Sequence, residues 1–232
     1  MKMENRELKK YDNLNPVILE FLLQINREQP SILDVGCWTG TLGRALKERN
    51  FQCRIDGIDI AEEALRTAQR ESGYEKVFRS DINHLKASDL DRDRYDVIVL
   101  GDVLEHIIDP ARLITAVRPA LRREGVLVVS LPNIAFLKYR LLHLMGHWDY
   151  TETGVMDKTH LRFFTVPSMK RFFEAQGLRI LRSKELVAVS DIYWPVKKLA
   201  KIWPNMFALQ MIFVLKPVSP EGPQRNSGAF RP

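Results

Sequence analysis

Cysteine is scarce: the 232 residues hold only Cys37 and Cys53. Two cannot make a disulfide framework, and neither stands at a metal-ligand spacing, so a reducing cytoplasm is the expected address. Long apolar runs are also missing. No stretch reaches the roughly 18 residues that a membrane-spanning helix needs. Met1–Lys10 is polar and charged, with no apolar stretch and small-residue cleavage site behind it, which predicts no secretory leader. Nor do like charges ever run five or six together. The net charge of +6 is spread along helical stretches and set against 29 acids, so most of it reads as solvated helix faces. The remainder offers a positive surface to an anionic substrate or to lipid headgroups.

What is present alternates. Asn13 or Asn15 before Pro16 is a helix start, and Val17, Ile18, Phe21, Leu22 and Ile25 recur on one face, predicting a helix over 16–27. Apolar strands are expected at 31–35, 53–59, 76–79, 95–100 and 125–131, with helices at 41–50, 61–71 and 110–121 between them. Strand and helix in turn predict a parallel sheet covered on both faces. Beyond that, a helix at 168–176 precedes two strands, 178–186 and 208–216. A segment rich in Trp, Pro and Lys separates them instead of a helical crossover, which fits an antiparallel pair at the sheet edge. The tail 217–232 has four prolines and no apolar pattern, and is expected to be disordered.

The first strand ends in Asp34-Val35-Gly36-Cys37-Trp38-Thr39-Gly40, a turn in which glycine lets a ligand approach the main chain. A dinucleotide fingerprint needs G-x-G-x-x-G, and Trp38 stands where its middle glycine would be. Asp34 at the mouth of the loop also repels a pyrophosphate. Both features argue against a nicotinamide oxidoreductase. They suit S-adenosylmethionine (SAM), which carries an ammonium and a sulfonium and no phosphate. The second strand ends at Asp59, 23 residues after Gly36, where a carboxylate can accept ribose hydroxyls.

Taken in order, ILDVGCWTG, IDGIDIA, RSDI, YDVIVLGDVLEHIIDP and GVLVVSLPN resemble the class I SAM-dependent methyltransferases over roughly residues 31–132. The later LPNIAFLKYRLLHLMGHWDY and DKTHLRFFT resemble ubiquinone-type and bacterial glycan-associated small-molecule O-methyltransferases. The resemblance implies an α/β fold: a Rossmann-like, seven-stranded, mostly parallel sheet with helices on both faces and an antiparallel C-terminal strand pair. It implies SAM as cofactor and S-adenosylhomocysteine as product. Asp34, Gly36 and Gly40, with Cys37 and Trp38 in the same loop, would frame the methionine part. Asp59 would hold the ribose, Ile60 would flank the adenine, and Asp81 with Ile82 would close over it. Leu100 and Gly101 would offer backbone near the sulfonium, and Tyr11 would cap the carboxylate. Trp38 replaces the commoner small residue, so it either covers the cofactor or crowds it.

Methyl transfer is an in-line displacement helped mainly by positioning, and a hydroxyl nucleophile gains from a base titrating near neutrality. His106, after the fourth strand, and His160, in a segment expected to cover the substrate, are the candidates. Asp102 and Glu105 read as helix-start caps. No metal ligands are expected, since His143, His147, Asp149 and Glu152 straddle a helix end.

The expected organisation is a helical cap over 1–30, a SAM-binding domain over 31–216 with substrate-covering segments 133–165 and 187–207, and the tail. The acceptor is expected to be a hydroxylated small molecule, with a sugar or glycan precursor in view. A nucleic-acid acceptor is disfavoured, because Gly101-Asp102-Val103-Leu104 stands where base-modifying relatives carry Asn/Asp-Pro-Pro-aromatic. Residues 194–206, WPVKKLAKIWPNM, form either a lid or, as the lesser reading, a membrane-resting patch. The alternatives are an N-methyltransferase and a SAM-binding regulatory protein without turnover.

Overall fold

The computed structural model of the protein describes residues 14–187 and 194–218. Tyr11, Tyr193 and residues 219–232 lie outside the described residues, and with them the expected carboxylate cap and most of the expected tail. The helices are α1 (Pro16–Leu23), α2 (Thr41–Glu48), α3 (Glu62–Glu71), α4 (Pro110–Val117), α5 (Leu137–Leu144), α6 (Val166–Ala175), α7 (Trp194–Ile202) and α8 (Pro204–Phe207). The strands are β1 (Ser31–Val35), β2 (Arg54–Asp59), β3 (Lys76–Arg79), β4 (Tyr95–Gly101), β5 (Leu121–Pro132), β6 (Leu178–Leu186) and β7 (Gln210–Pro217).

The seven strands lie in the order β3-β2-β1-β4-β5-β7-β6. β1 to β5 are parallel, and β7 runs antiparallel to both of its neighbours. Alternate residues of the central strands feed two separate cores. Ile32, Val97, Val99 and Val128 meet α1, α2 and α3 on one face. Leu33, Ile98, Leu100 and Val129 meet Leu113, Ile114 and Val117 of α4 and Phe173 of α6 on the other. Burial on both faces is why these strands read as unbroken apolar runs. A fully buried Leu or Ile contributes roughly 1.5–3 kcal/mol, so the sheet centre is the most stable part of the fold.

Several boundaries differ from the pattern, each for a local reason. Asn15 accepts from the Val17 amide and starts α1 as expected, but the helix ends at Leu23. α4 stops at Val117 because Pro119 follows, and a 3-10 turn over Arg118–Ala120 carries the chain into β5. The segment between β6 and β7, expected to be irregular, forms α7 and α8. β7 runs to Pro217, the first residue of the expected tail.

Strand order reverses between β1 and β4. Ligands of open α/β sheets bind outside the carboxyl ends of the strands at such a switch point. Gly36 and Gly101 follow β1 and end β4 there.

Candidate functional site

The loop after β1 is fixed by its own backbone bonds. The amides of Gly36 and Cys37 both donate to the Ile58 carbonyl, at 2.7 and 3.1 Å. Gly36 has φ +75°, and a Cβ there would lie 2.9 Å from Val103 Cγ2, so only glycine fits. Trp38 is also left-handed, at φ +48°. Its amide donates to Asp59 Oδ2 at 2.9 Å, while Asp59 Oδ1 accepts from the Ala61 amide at 2.9 Å. One carboxylate thus ties the loop after β1 to the start of α3.

Asp34 is buried, and the Tyr74 hydroxyl donates to its Oδ2 at 2.6 Å. Burial pushes the Asp34 carboxyl up to about 7, against the Tyr74 hydrogen bond, with the Asp59 charge adding to the rise.

Two cavities meet at this switch point. The larger, about 540 Å³, is lined by Gly36, Trp38, Asp59, Ile82 and Gly101 on one side and by Glu105, His106, Asp157, Thr159 and His160 on the other. The smaller, about 90 Å³, adds Asp34, Cys37 and Asn15, and shares Gly36, Trp38, Gly101 and Asp102 with the first. Among the described residues, neither cavity has a Lys or Arg in its lining. The expected loop residues and both histidines therefore come together around one space.

Others fall elsewhere. Leu100 is fully buried in the sheet, and Ile60 is exposed outside both cavity walls. Gly40 sits at φ +81° as the start of α2. The Asp81 carboxylate turns to its own loop, accepting from the Asn83 amide and bonding His84 Nδ1, both at 2.9 Å. Its neighbour Ile82 is the one that reaches the cavity.

The histidines belong to different segments. His106 lies in a 3-10 turn over Leu104–His106, and His160 follows the loop 151–159. Their rings meet edge to face at 4.7 Å. His160 Nδ1 donates to the Val155 carbonyl at 3.0 Å, which assigns the proton to Nδ1 and leaves the lone pair on Nε2. His106 Nδ1 lies 3.2 Å from the Thr159 carbonyl and 3.1 Å from Thr159 Oγ1. Burial lowers the pKa of His160, and the neighbouring His106 lowers it further.

Glu105 and Asp102 are not helix caps. Glu105 is 1% exposed, and its backbone carbonyl accepts from the amides of Leu161 and Arg162 at 2.8 and 3.0 Å. Among the described residues its Oε2 has no hydrogen-bond partner, and burial holds its carboxyl well above the usual range. Asp102 has φ +55°, and its Oδ1 accepts from the Ser130 hydroxyl at 2.6 Å and from Gln210 Nε2. Gln210 in turn accepts from Asn15 Nδ2 at 2.7 Å. The helix after this loop is capped by Asp109, which accepts from the Arg112 amide. Among the described residues, Glu105, His106 and His160 form a group whose ligand atoms lie within 4.8 Å of one another, close enough for a cation.

No sequence pattern singled out Tyr74, Ser130 or Gln210, whereas 153–155, Asp157 and Thr159 lie within the expected substrate-covering segment 133–165.

A model of the methyltransferase domain family matches residues 8–183. A ubiquinone biosynthesis O-methyltransferase of Aeromonas salmonicida is 26% identical over 216 residues, covering 91% of this chain and 87% of that protein. One from Coxiella burnetii is 27% identical over 175 residues, covering 72% of each. Among solved structures, a SAM-dependent methyltransferase from Mesorhizobium loti superposes with TM-score 0.59 at 18% identity, over 86% of this chain and 95% of that one. Another from Archaeoglobus fulgidus gives 0.57 at 19%, over 91% and 94%.

Proposed function

The chain belongs to the methyltransferase domain family and is a SAM-dependent methyltransferase, and from that premise we propose that it methylates a hydroxyl group of a small molecule with histidine as general base. The observation that carries this reading is the pair His106–His160, 4.7 Å apart on the wall of the cavity that Gly36, Asp59 and Gly101 also line. A cavity of about 540 Å³ lies within the range of roughly 300–1,000 Å³ usual for small-molecule sites.

The lining fits the donor. Buried carboxylates and a wall without Lys or Arg among the described residues suit a cationic, phosphate-free ligand, and Gly36 lets it approach the main chain. Asp34, Gly36, Cys37, Trp38 and Gly101 would hold its methionine part, and Asp59 and Ile82 its nucleoside. When bound, SAM supplies a methyl group on a sulfonium, which is already a good leaving group.

The protein's own contribution is to orient the acceptor and take its proton. His160 is neutral at pH 7, with Nδ1–H held by the Val155 carbonyl and a lone pair on Nε2. The hydroxyl proton passes to that nitrogen as oxygen attacks. His106, seated against Thr159, packs on the His160 ring and lines the same wall. Oxygen as the nucleophile follows the relatives from Aeromonas and Coxiella, which are named as O-methyltransferases.

The test is methyl transfer from labelled SAM to a panel of phenols, alcohols, sugars and amines, with and without a chelator. Transfer to hydroxyl acceptors that survives the chelator supports the reading. Transfer to amines alone makes the chain an N-methyltransferase. Loss on chelation turns Glu105, His106 and His160 into cation ligands. SAM binding without turnover across the panel would leave a regulatory role.

A further inference from the structure

The two cavities share only part of their walls. Four of the described residues line both: Gly36, Trp38, Gly101 and Asp102. Asp34 belongs to the smaller cavity alone, and Asp59 and Ile82 to the larger alone. The shared wall is also where the backbone is unusual. Among the described residues five non-glycine positions have positive φ, and both Trp38, at +48°, and Asp102, at +55°, are among them. That region is strained for a side chain as bulky as tryptophan, and the strain persists only where the surroundings fix it. Here they do. The Trp38 amide is held by Asp59 Oδ2, and the Asp102 amide donates to Ser130 Oγ at 2.9 Å.

Glycine would take the turn at Trp38 without strain, so the turn does not account for the indole. Core packing does not account for it either. Trp38 is half-buried and belongs to neither apolar core of the described residues. What remains is the face it presents to the cavities.

The chemistry of the donor says what meets that face. SAM joins its methionine chain to its nucleoside through a single sulfur. With the methionine end toward Asp34 and the ribose toward Asp59, that sulfur falls at the junction the two cavities share. The two glycines there offer only backbone. Asp102 offers a carboxylate, and Trp38 the aromatic face that attracts a cation most strongly. On transfer the methyl leaves, the bonding pair stays on sulfur, and the sulfonium becomes a neutral thioether. A ring at the junction therefore acts on the one charge in which donor and product differ.

We propose that Trp38 sets the selectivity of the cofactor site, its indole favouring the cationic donor over the neutral product. This rests on the donor placement proposed above, which fails in the wild type if it fails at all, whereas the role of Trp38 fails only in its variants.

The full chain and its Trp38→Phe, Trp38→Leu and Trp38→Gly variants are titrated calorimetrically with SAM and with S-adenosylhomocysteine. Trp38→Leu keeps an apolar side chain without a ring. It should weaken SAM about five- to thirtyfold and leave S-adenosylhomocysteine within about twofold, which also reports an intact fold. Trp38→Phe should keep most of the preference. Trp38→Gly releases the left-handed strain, so the same selective loss there cannot come from a distorted turn. The proposal is overturned if both ligands weaken by one factor, because the ring then packs on a part they share, or if neither weakens. It is also overturned if the variants bind SAM more tightly, because the indole then crowds the donor. A wild type that binds neither ligand would overturn the donor placement, and the role of Trp38 with it.

Discussion

Removing the Tyr74 hydroxyl alone should destabilise the protein more in alkali than in acid. Tyr74 is 3% exposed, and its hydroxyl donates to Asp34 Oδ2 at 2.6 Å. Its ring fills the space beside Gly40, Gly43 and Gly57, where any added Cβ would come within 3 Å of it. Tyr74→Phe keeps that ring and deletes one bond. Burial has already pushed the Asp34 carboxyl up to about 7 from the ordinary 3.8.

A raised carboxyl stabilises the fold fully below its ordinary value, and that contribution is lost as pH climbs to about 7, so the wild type weakens across this window. In acid the carboxyl is neutral in both proteins, and the deleted bond costs about 1 kcal/mol. In alkali a buried carboxylate loses its hydroxyl donor, and the cost rises to about 2–3 kcal/mol. Urea unfolding with linear extrapolation, at about pH 5 and about pH 8.5, reads the difference directly. An equal cost at both values, or a larger one in acid, would refute the argument that Tyr74 holds an ionisable Asp34.

Because only ionised Asp34 pairs with a cation, SAM affinity should rise as pH climbs through about 7, by up to tenfold per unit below it. A flat calorimetric profile would remove Asp34 from the cofactor site. His160→Ala should lower kcat by about 10²–10⁴ while leaving the S-adenosylhomocysteine thermal shift intact. In the wild type, the acid limb of kcat/KM should lie below the ordinary histidine value of 6.5, and a limb above it would point to another base. Gly57→Ala puts a Cβ 2.6 Å from Cys37 Sγ and 2.8 Å from the Tyr74 ring. It should cost about 1–3 kcal/mol, and an unchanged melting temperature would show that these neighbours yield freely.

The central sheet was legible because burial on both faces leaves a plain signature: Tyr95–Leu100 and Gly125–Leu131 are apolar at nearly every position. The glycine loop was legible because Gly36 takes a left-handed turn where a Cβ would meet Val103, and Asp59 because it ends β2 and accepts from the amide of that loop's Trp38. What the sequence hid are contacts between distant segments. Tyr74 meets Asp34 across 40 residues and Gln210 meets Asp102 across 108, and no local pattern encodes either pairing. Glu105 was misread as a cap because an acid before a proline-led helix usually is one. Here Asp109 takes that task, and Glu105 turns inward. α5 was marked only by its end, because it buries nothing and its apolar residues follow no core-facing stripe.

β7 is the last strand among the described residues, yet it lies between β5 and β6. β6 is therefore made before the strand it must pair with, and its edge stays open until Gln210–Pro217 arrives. The same strand carries Gln210, which joins Asp102 beside the cavity to Asn15 at the start of α1, 195 residues earlier. Such long-range closure is slow to form. A chain cut before β7 would lose the link that Gln210 makes between Asp102 and Asn15, and β6 would lose its partner.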